Sequence, residues 1–247
     1  VVQSGLCGEA LSQEKLQALA GSVPVAAQSG LVTVQTAGAG VPLEADVRAS
    51  KYLTLLVSDA GDSYACDHSD WVEACISGTF GEKKLSELPW LFAHAGWGDV
   101  RKNRSANNQP LRINGKTYND GIGMHSPGIV VFELPAGTEH FRAFAGLDEG
   151  GTKQGNTAPS SVQFIVLAGL PSPELLKALR MPSLPDFEQQ KRMQKMVERY
   201  GDSFAVREFV TLQRELTQPL RAHKGIADEA TRAAQARPMP WLAPVTR

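Results

Sequence analysis

The chain is poor in cysteine. Only Cys7, Cys66 and Cys75 occur among 247 residues, and no two of them form a CxxC or CxxCH motif. That spacing excludes zinc-finger, thioredoxin-like and c-type haem readings. No apolar run approaches the roughly 18 residues needed to cross a bilayer, so no membrane span is expected. G-x-S-x-G, HExxH and Walker loops are missing as well, which removes the commonest sequence signatures of hydrolases, zinc proteases and P-loop enzymes. Paired carboxylates for glycoside hydrolysis can be drawn at will from 26 acids and carry no information. No strong charge block exists either. Residues 171–247 hold 13 Lys+Arg and 9 Asp+Glu, net +4, against a whole-chain charge of −1. An excess so small and so mixed with acids is no nucleic-acid footprint, and no nucleic-acid partner is expected. No internal repeat is visible. The chain opens without Met and without a signal peptide, as expected of a mature product or a piece of something longer.

What is present reads as globular: 42% apolar and 21% charged residues, a length that suits one or two domains. Ser12 is placed to cap a short helix over QEKLQALA, with Gly21 at its stop. Leu31, Val32 and Val34 suggest a first strand. From Leu43 to Gly169 the pattern is nearly all β. Tyr52–Ser58, Arg112–Tyr118, Ile129–Leu134, Phe141–Leu147 and Val162–Ala168 are short runs rich in Val, Ile, Phe and Tyr, bounded by turn residues. Phe141, Ala143, Ala145 and Leu147 alternate with Arg142 and Phe144, the period of a half-buried strand. Asn114-Gly115 supplies the two positive-φ positions of a type I′ turn, predicting a tight hairpin. At Pro171 the period changes. Ser172-Pro173 is a helix start, and residues 186–201 carry the apolar stripe Phe187, Met193, Met196, Val197 and Tyr200. A second helix over residues 203–218 would complete a hairpin, a third is suggested near Ile226–Ala236, and a Pro-rich tail follows. The fold class expected is an antiparallel β-sandwich, jelly-roll-like, followed by a small α-helical region. Three parts are expected: an extension at 1–42 packing on the sandwich, the sandwich at 43–170, and the helical region at 171–247.

Four ordered blocks carry a resemblance. NGKTYNDGIGMHSPGIVVFEL (Asn114 to Leu134) joins the hairpin to Gly-x-Gly-x-His and a β-branched strand. Upstream lies YLTLLVSDAGDSYACDHSDWVEACI (Tyr52 to Ile76), with an Asp-x-x-Asp-Trp segment. Downstream lie FRAFAGLDEGG (Phe141 to Gly151) and SVQFIVLAG (Ser161 to Gly169). In this order they resemble the NPCBM family, small β-sandwich carbohydrate-binding modules attached to secreted bacterial glycosidases. The resemblance implies a non-catalytic module of a larger exported protein, periplasmic or extracellular, with a glycan as its partner. Two rivals stand beside it. One is an assembly domain that grips other domains or subunits through the C-terminal helices; the other is a metal-assisted hydrolase using His68.

Sugar recognition needs an aromatic face for the ring and planar polar groups for its hydroxyls. Trp97, between Gly96 and Gly98, is the best-placed aromatic, and Asn103, Arg104 and Asn108 follow as hydroxyl partners. His125 points either into a ligand cleft or to a backbone carbonyl as a structural group. Asp59, Asp62, Asp67 and Asp70 crowd what reads as one loop. They suit a structural calcium, a cofactor that sandwich-type sugar-binding modules often hold, or plain turn chemistry. Asp148 and Glu149 either close that site, bind a hydroxyl or make a turn. His68 is either a metal ligand or base, or a locally packed side chain. Trp71 is either core or platform. Cys66 and Cys75 either close a disulfide or stay as two buried thiols.

Overall fold

The computed structural model describes residues 9–154 and 160–200. The chain divides into two compact units, 1–190 and 191–247. In chain order the first unit holds α1 (Gln13–Ala20), β1 (Val25–Gln28), β2 (Val32–Thr33), β3 (Gly40–Asp46), β4 (Tyr52–Ser58), β5 (His68–Gly78), β6 (Gly81–Lys84) and β7 (Trp90–Ala95). There follow β8 (Arg101–Lys102), β9 (Leu111–Ile113), β10 (Lys116–Tyr118), β11 (Gly121–His125), β12 (Gly128–Glu133), β13 (Thr138–Leu147), α2 (Glu149–Thr152), β14 (Ser161–Leu167) and α3 (Pro173–Ala178). Helix α4 (Phe187–Tyr200) crosses the boundary between units. The second and third helices expected in the C-terminal region, and the Pro-rich tail, lie outside the described residues.

Among the described residues all strand pairs are antiparallel; two six-stranded sheets pack face to face and β9–β10 is a separate hairpin, so the fold is the β-sandwich that the sequence predicts. The first sheet runs β1-β14-β4-β12-β7, and the second β3-β13-β5-β11-β8. Between them lies a core around Trp71, Phe132, Phe141 and Phe164. Trp71 is fully buried and meets Phe164 edge-on at 5.0 Å between ring centroids. It is core, not a platform.

The two sheets differ on their outer faces. Strand β13 alternates as read, with Phe141, Ala143, Ala145 and Leu147 inward and Arg142 exposed. Every residue of β14 is buried. The reason is a further layer on the first sheet. Leu16 and Ala20 of α1, Leu175 and Leu176 of α3, and Leu179, Met181 and Phe187 pack on Leu56, Phe92, Ile129, Val131, Ile165 and Leu167. Ser12 caps α1 by accepting from Lys15 N, and Ser172 caps α3 by accepting from Leu175 N while donating to Leu19 O. Residues 171–190 thus belong with the sandwich, not with a separate helical part. Hydrophobic burial of this kind is worth about 1.5–3 kcal/mol per large side chain, which makes the layer part of the fold.

On the second sheet the outer cover is local. Asn114 (φ 46°) and Gly115 (φ 82°) make the expected I′ turn, and the β9–β10 hairpin lays Leu111 and Ile113 over Val72 of β5. Helix α2 and residues 103–109 cover the rest of that end. His68 and Asp70, expected in a loop, therefore lie on β5 and are buried. Cys66 and Cys75 are both buried thiols with no disulfide between them. The disulfide reading fails because β5 separates them: at about 3.3 Å per extended residue they stand roughly 20 Å apart, where a bond needs Cα atoms within about 7 Å.

Candidate functional site

One end of the sandwich gathers the chemistry. There β4 ends, β5 begins, β7 and β11 end, and the chain crosses between sheets from β11 to β12. His125, last in β11, lies directly opposite His68, first in β5. Their rings meet at 4.9 Å, nearly perpendicular. Trp97, on the turn after β7, lies 5.4 Å from the His68 ring and 5.8 Å from the His125 ring. Tyr64 completes the group, edge-on to His125 at 6.1 Å. The two histidines are buried, whereas Trp97 and Tyr64 are 51% and 53% exposed. Half-exposed aromatics flank recessed polar rings, and the four side chains bound a notch.

The glycines beside Trp97 explain its exposure. A Cβ on Gly96 would stand 2.4 Å from Ser126 O, and one on Gly98 (φ 65°) 2.9 Å from Ala106 O. The backbone is wedged between two neighbours on either side of the indole, which fixes the turn that presents it. Tyr64 rides on the loop 59–67, where Ala60 (φ 50°) and Cys66 (φ 67°) adopt the left-handed conformation.

Both histidines are neutral near neutral pH. Burial lowers His125 to about 4, against a smaller upward pull from its bond to Ser126 O and a further lowering by His68. Burial also lowers His68, with the Asp148 carboxylate opposing. A carbonyl only accepts, so the 2.7 Å contact from His125 Nδ1 to Ser126 O puts the proton on Nδ1 and leaves Nε2 as an acceptor. The Gln154 amide lies 3.3 Å from His68 Nε2, and its other end accepts from the Cys66 thiol.

Carboxyls support this floor from behind. Asp67 accepts from Ser126 Oγ at 2.9 Å and Ser161 N at 3.1 Å, tying β5, β11 and β14 at their site ends. Burial, with Asp62 and Asp59 nearby, pushes it up to about 8, although those two hydrogen bonds pull the other way. Asp70 lies deeper, with both oxygens buried and without a donor. Burial, and then Asp148 beside it, holds it well above the usual carboxylate range. Asp148 accepts from Arg112 N (2.9 Å) and Gly150 N (2.8 Å). Two adjoining carboxyls do not both ionise readily, and Asp70, the deeper of the two, keeps the proton.

The four aspartates grouped as a calcium set are thus spread among separate partners. Asp59 pairs with Arg180, Asp62 accepts from Ser161 Oγ, Asp67 ties strands, and Asp70 faces Asp148. Among the described residues no group of three or more His, Cys, Asp or Glu is arranged to hold a metal ion. The residues present do not fit calcium as one set.

Of the expected hydroxyl partners, Asn103 (φ 57°) exchanges bonds with Gly121, its Oδ1 accepting from Gly121 N at 3.1 Å. Asn108 (φ 65°) closes a turn on Ser105 O. Arg104 is exposed, and its carbonyl packs over Gly123. These three shape the loop that braces Trp97. Tyr64 and Gln154 were not marked by any sequence pattern. The only available signal was an aromatic among Asp, Gly and Ser turn residues.

A family model for the NPCBM/NEW2 domain matches residues 18–77 and 81–171. The match starts well before Leu43, taking in part of α1 and strands β1 and β2. No curated protein and no solved structure matches the chain.

Proposed function

The chain belongs to the NPCBM/NEW2 family, and from that premise we propose that it binds a carbohydrate in the notch of Tyr64, His68, Trp97 and His125. The observation that carries this reading is the pairing of two half-exposed aromatic rings with two recessed, neutral imidazoles. A sugar ring has an apolar C–H face for Trp97 or Tyr64 and hydroxyls for acceptors and donors such as His125 Nε2 and the Gln154 amide. Neutral imidazoles suit uncharged hydroxyls. The module is non-catalytic in this reading and holds a larger exported bacterial protein on its glycan, raising the effective concentration of an attached activity. Both aromatic walls are half exposed to solvent, so single-site affinity is weak, on the order of micromolar to millimolar. A glycan array probed with wild-type protein and Trp97→Ala tests it. Retention of a glycan by wild type and its loss in the variant is expected. A wild-type protein that retains none of the glycans overturns the reading.

A further inference from the structure

Two segments outside residues 18–171 converge on the loop that presents Tyr64. Glu9 donates its N–H to Ala60 O at 2.8 Å. From beyond the other end of the family match, the Arg180 guanidinium pairs with the Asp59 carboxylate, which is nearly buried. Building on the glycan reading of the notch, we propose that Arg180 is a positioning residue for that site: it tethers the loop 59–67 so that Tyr64 stands as one wall.

The backbone around Arg180 is the first argument. Helix α3 ends with Arg180 N bonded to Lys177 O and Met181 N to Leu176 O, the paired bonds of a Schellman close. That close requires a left-handed residue, and Arg180 supplies it at φ 57°. Glycine takes this conformation without strain. An arginine held there is a strained choice, which its side chain must compensate. The described partner of that side chain is Asp59.

The loop is the second argument. Ala60 and Cys66 are themselves left-handed without being glycine, a conformation that persists only where surroundings over-determine it. Asp59 supplies two restraints at once, Oδ1 accepting from Gly61 N at 3.1 Å and Oδ2 taking Arg180. Ser161 Oγ to Asp62 and Ser160 Oγ to Cys66 O hold the far side. The opposite wall, Trp97, depends on none of these, because Gly96 and Gly98 pack it against residues 126 and 106. The helical layer therefore reaches one wall of the notch and not the other.

The test uses full-length Arg180→Gly, which removes the guanidinium and the backbone strain together. Expected are an unchanged or slightly raised melting temperature and faster amide hydrogen exchange at residues 60–66, with exchange at residues 95–99 unchanged. Arg180→Lys keeps the charge without the planar fork and should restore part of the protection. In gels cast with galactomannan or xyloglucan, Arg180→Gly should bind three- to tenfold more weakly than wild type and lose nothing further in a Tyr64→Ala background. Unchanged exchange at residues 60–66 overturns the proposal, as does an equal loss of binding with and without Tyr64. Faster exchange at residues 60–66, together with no retention of wild type by gel or array, upholds the tether and overturns the glycan reading.

Discussion

The two sheets are built from similar strands and used differently. The first is sealed on both faces: β14 and nearly all of β4 and β12 are buried, because α1, α3 and the start of α4 lie outside them. The second is sealed inside but shows charged side chains such as Glu44, Asp46 and Arg142 on its open face. At one end its outer face is roofed by a hairpin and α2, and beside the apolar cluster of Val72, Leu111 and Ile113 it buries polar groups: His68, Asp70 and His125. The difference teaches where function can sit. The polar side chains buried in the doubly packed strands, such as Thr54 and Gln163, are spent on neighbouring backbone groups, whereas the locally roofed end holds imidazoles and carboxyls just below the surface.

The largest effect that would break this comparison is the loss of the outer layer. Leu175 is fully buried on the first sheet, so Leu175→Ala should cost about 2–5 kcal/mol, as core truncations do. Denaturant midpoints read it directly. A loss below about 0.5 kcal/mol, the usual range of surface changes, would mean that the helices merely decorate the sandwich and that the two sheets are equivalent.

The roofed end of the second sheet should respond to pH. Asp67 is raised from 3.8 to about 8 in the folded protein, so folding favours its protonated form. Its contribution is full below pH 4 and is lost as pH rises through about 8. The loss at alkaline pH should be on the order of a few kcal/mol. Above pH 6.5, where the His125 contribution is complete, melting temperatures should fall towards pH 9, and Asp67→Asn, which keeps an acceptor but does not ionise, should flatten the curve. A wild-type profile that rises over this interval would contradict a buried, protonated carboxyl. His125, lowered to about 4, works with the opposite sign: its neutral form stabilises above its ordinary value of 6.5, and that contribution is lost as pH falls towards 4.

The same contrast explains what the sequence disclosed. Strand β13 is legible from alternation because one face meets water, and β4 and β12 are legible as short runs rich in apolar and β-branched residues bounded by turn residues. Strands β1, β3, β6, β7, β8 and β11 lie outside the runs read as strands, β1 being a short VAAQ and β7 a WLFAHA run without clear alternation. His68 and Asp70 looked like loop residues because HSD is a polar string, and only the roof of hairpin and α2 makes it a buried strand. In the site, Trp97 was marked by its glycines and His125 by Gly-x-Gly-x-His. Tyr64 meets His125 from 61 positions away, a contact set by topology alone. Arg180 lies farther still from any local cue.

Trp97 tests the roofed end as a working surface and not only as a packed one. The indole is half exposed, so Trp97→Ala should leave stability within about 0.5 kcal/mol. Loss of a ring contact at the centre of a small site should weaken glycan binding about tenfold, which is about 1.4 kcal/mol. Thermal melts alongside affinity gels separate the two. A large drop in melting temperature would make Trp97 a plug for the sandwich end, and the notch would lose its main wall.

The smallest effect belongs to the open face. Arg142 of β13 and Glu82 of β6 form an ion pair at 2.9 Å, with side chains 55% and 54% exposed. The geometry is good, and the pair lowers Glu82 and raises Arg142 from their ordinary values. Water screens both partners, though, and two long side chains lose freedom to meet. Exposed pairs of this kind contribute about 0–1 kcal/mol. Arg142→Ala should therefore shift the denaturant midpoint only slightly, and less still in about 1 M salt, where screening acts within about 3 Å. A loss comparable to that of Leu175→Ala would show this face to be covered by another copy of the chain, and the two sheets would then be alike after all.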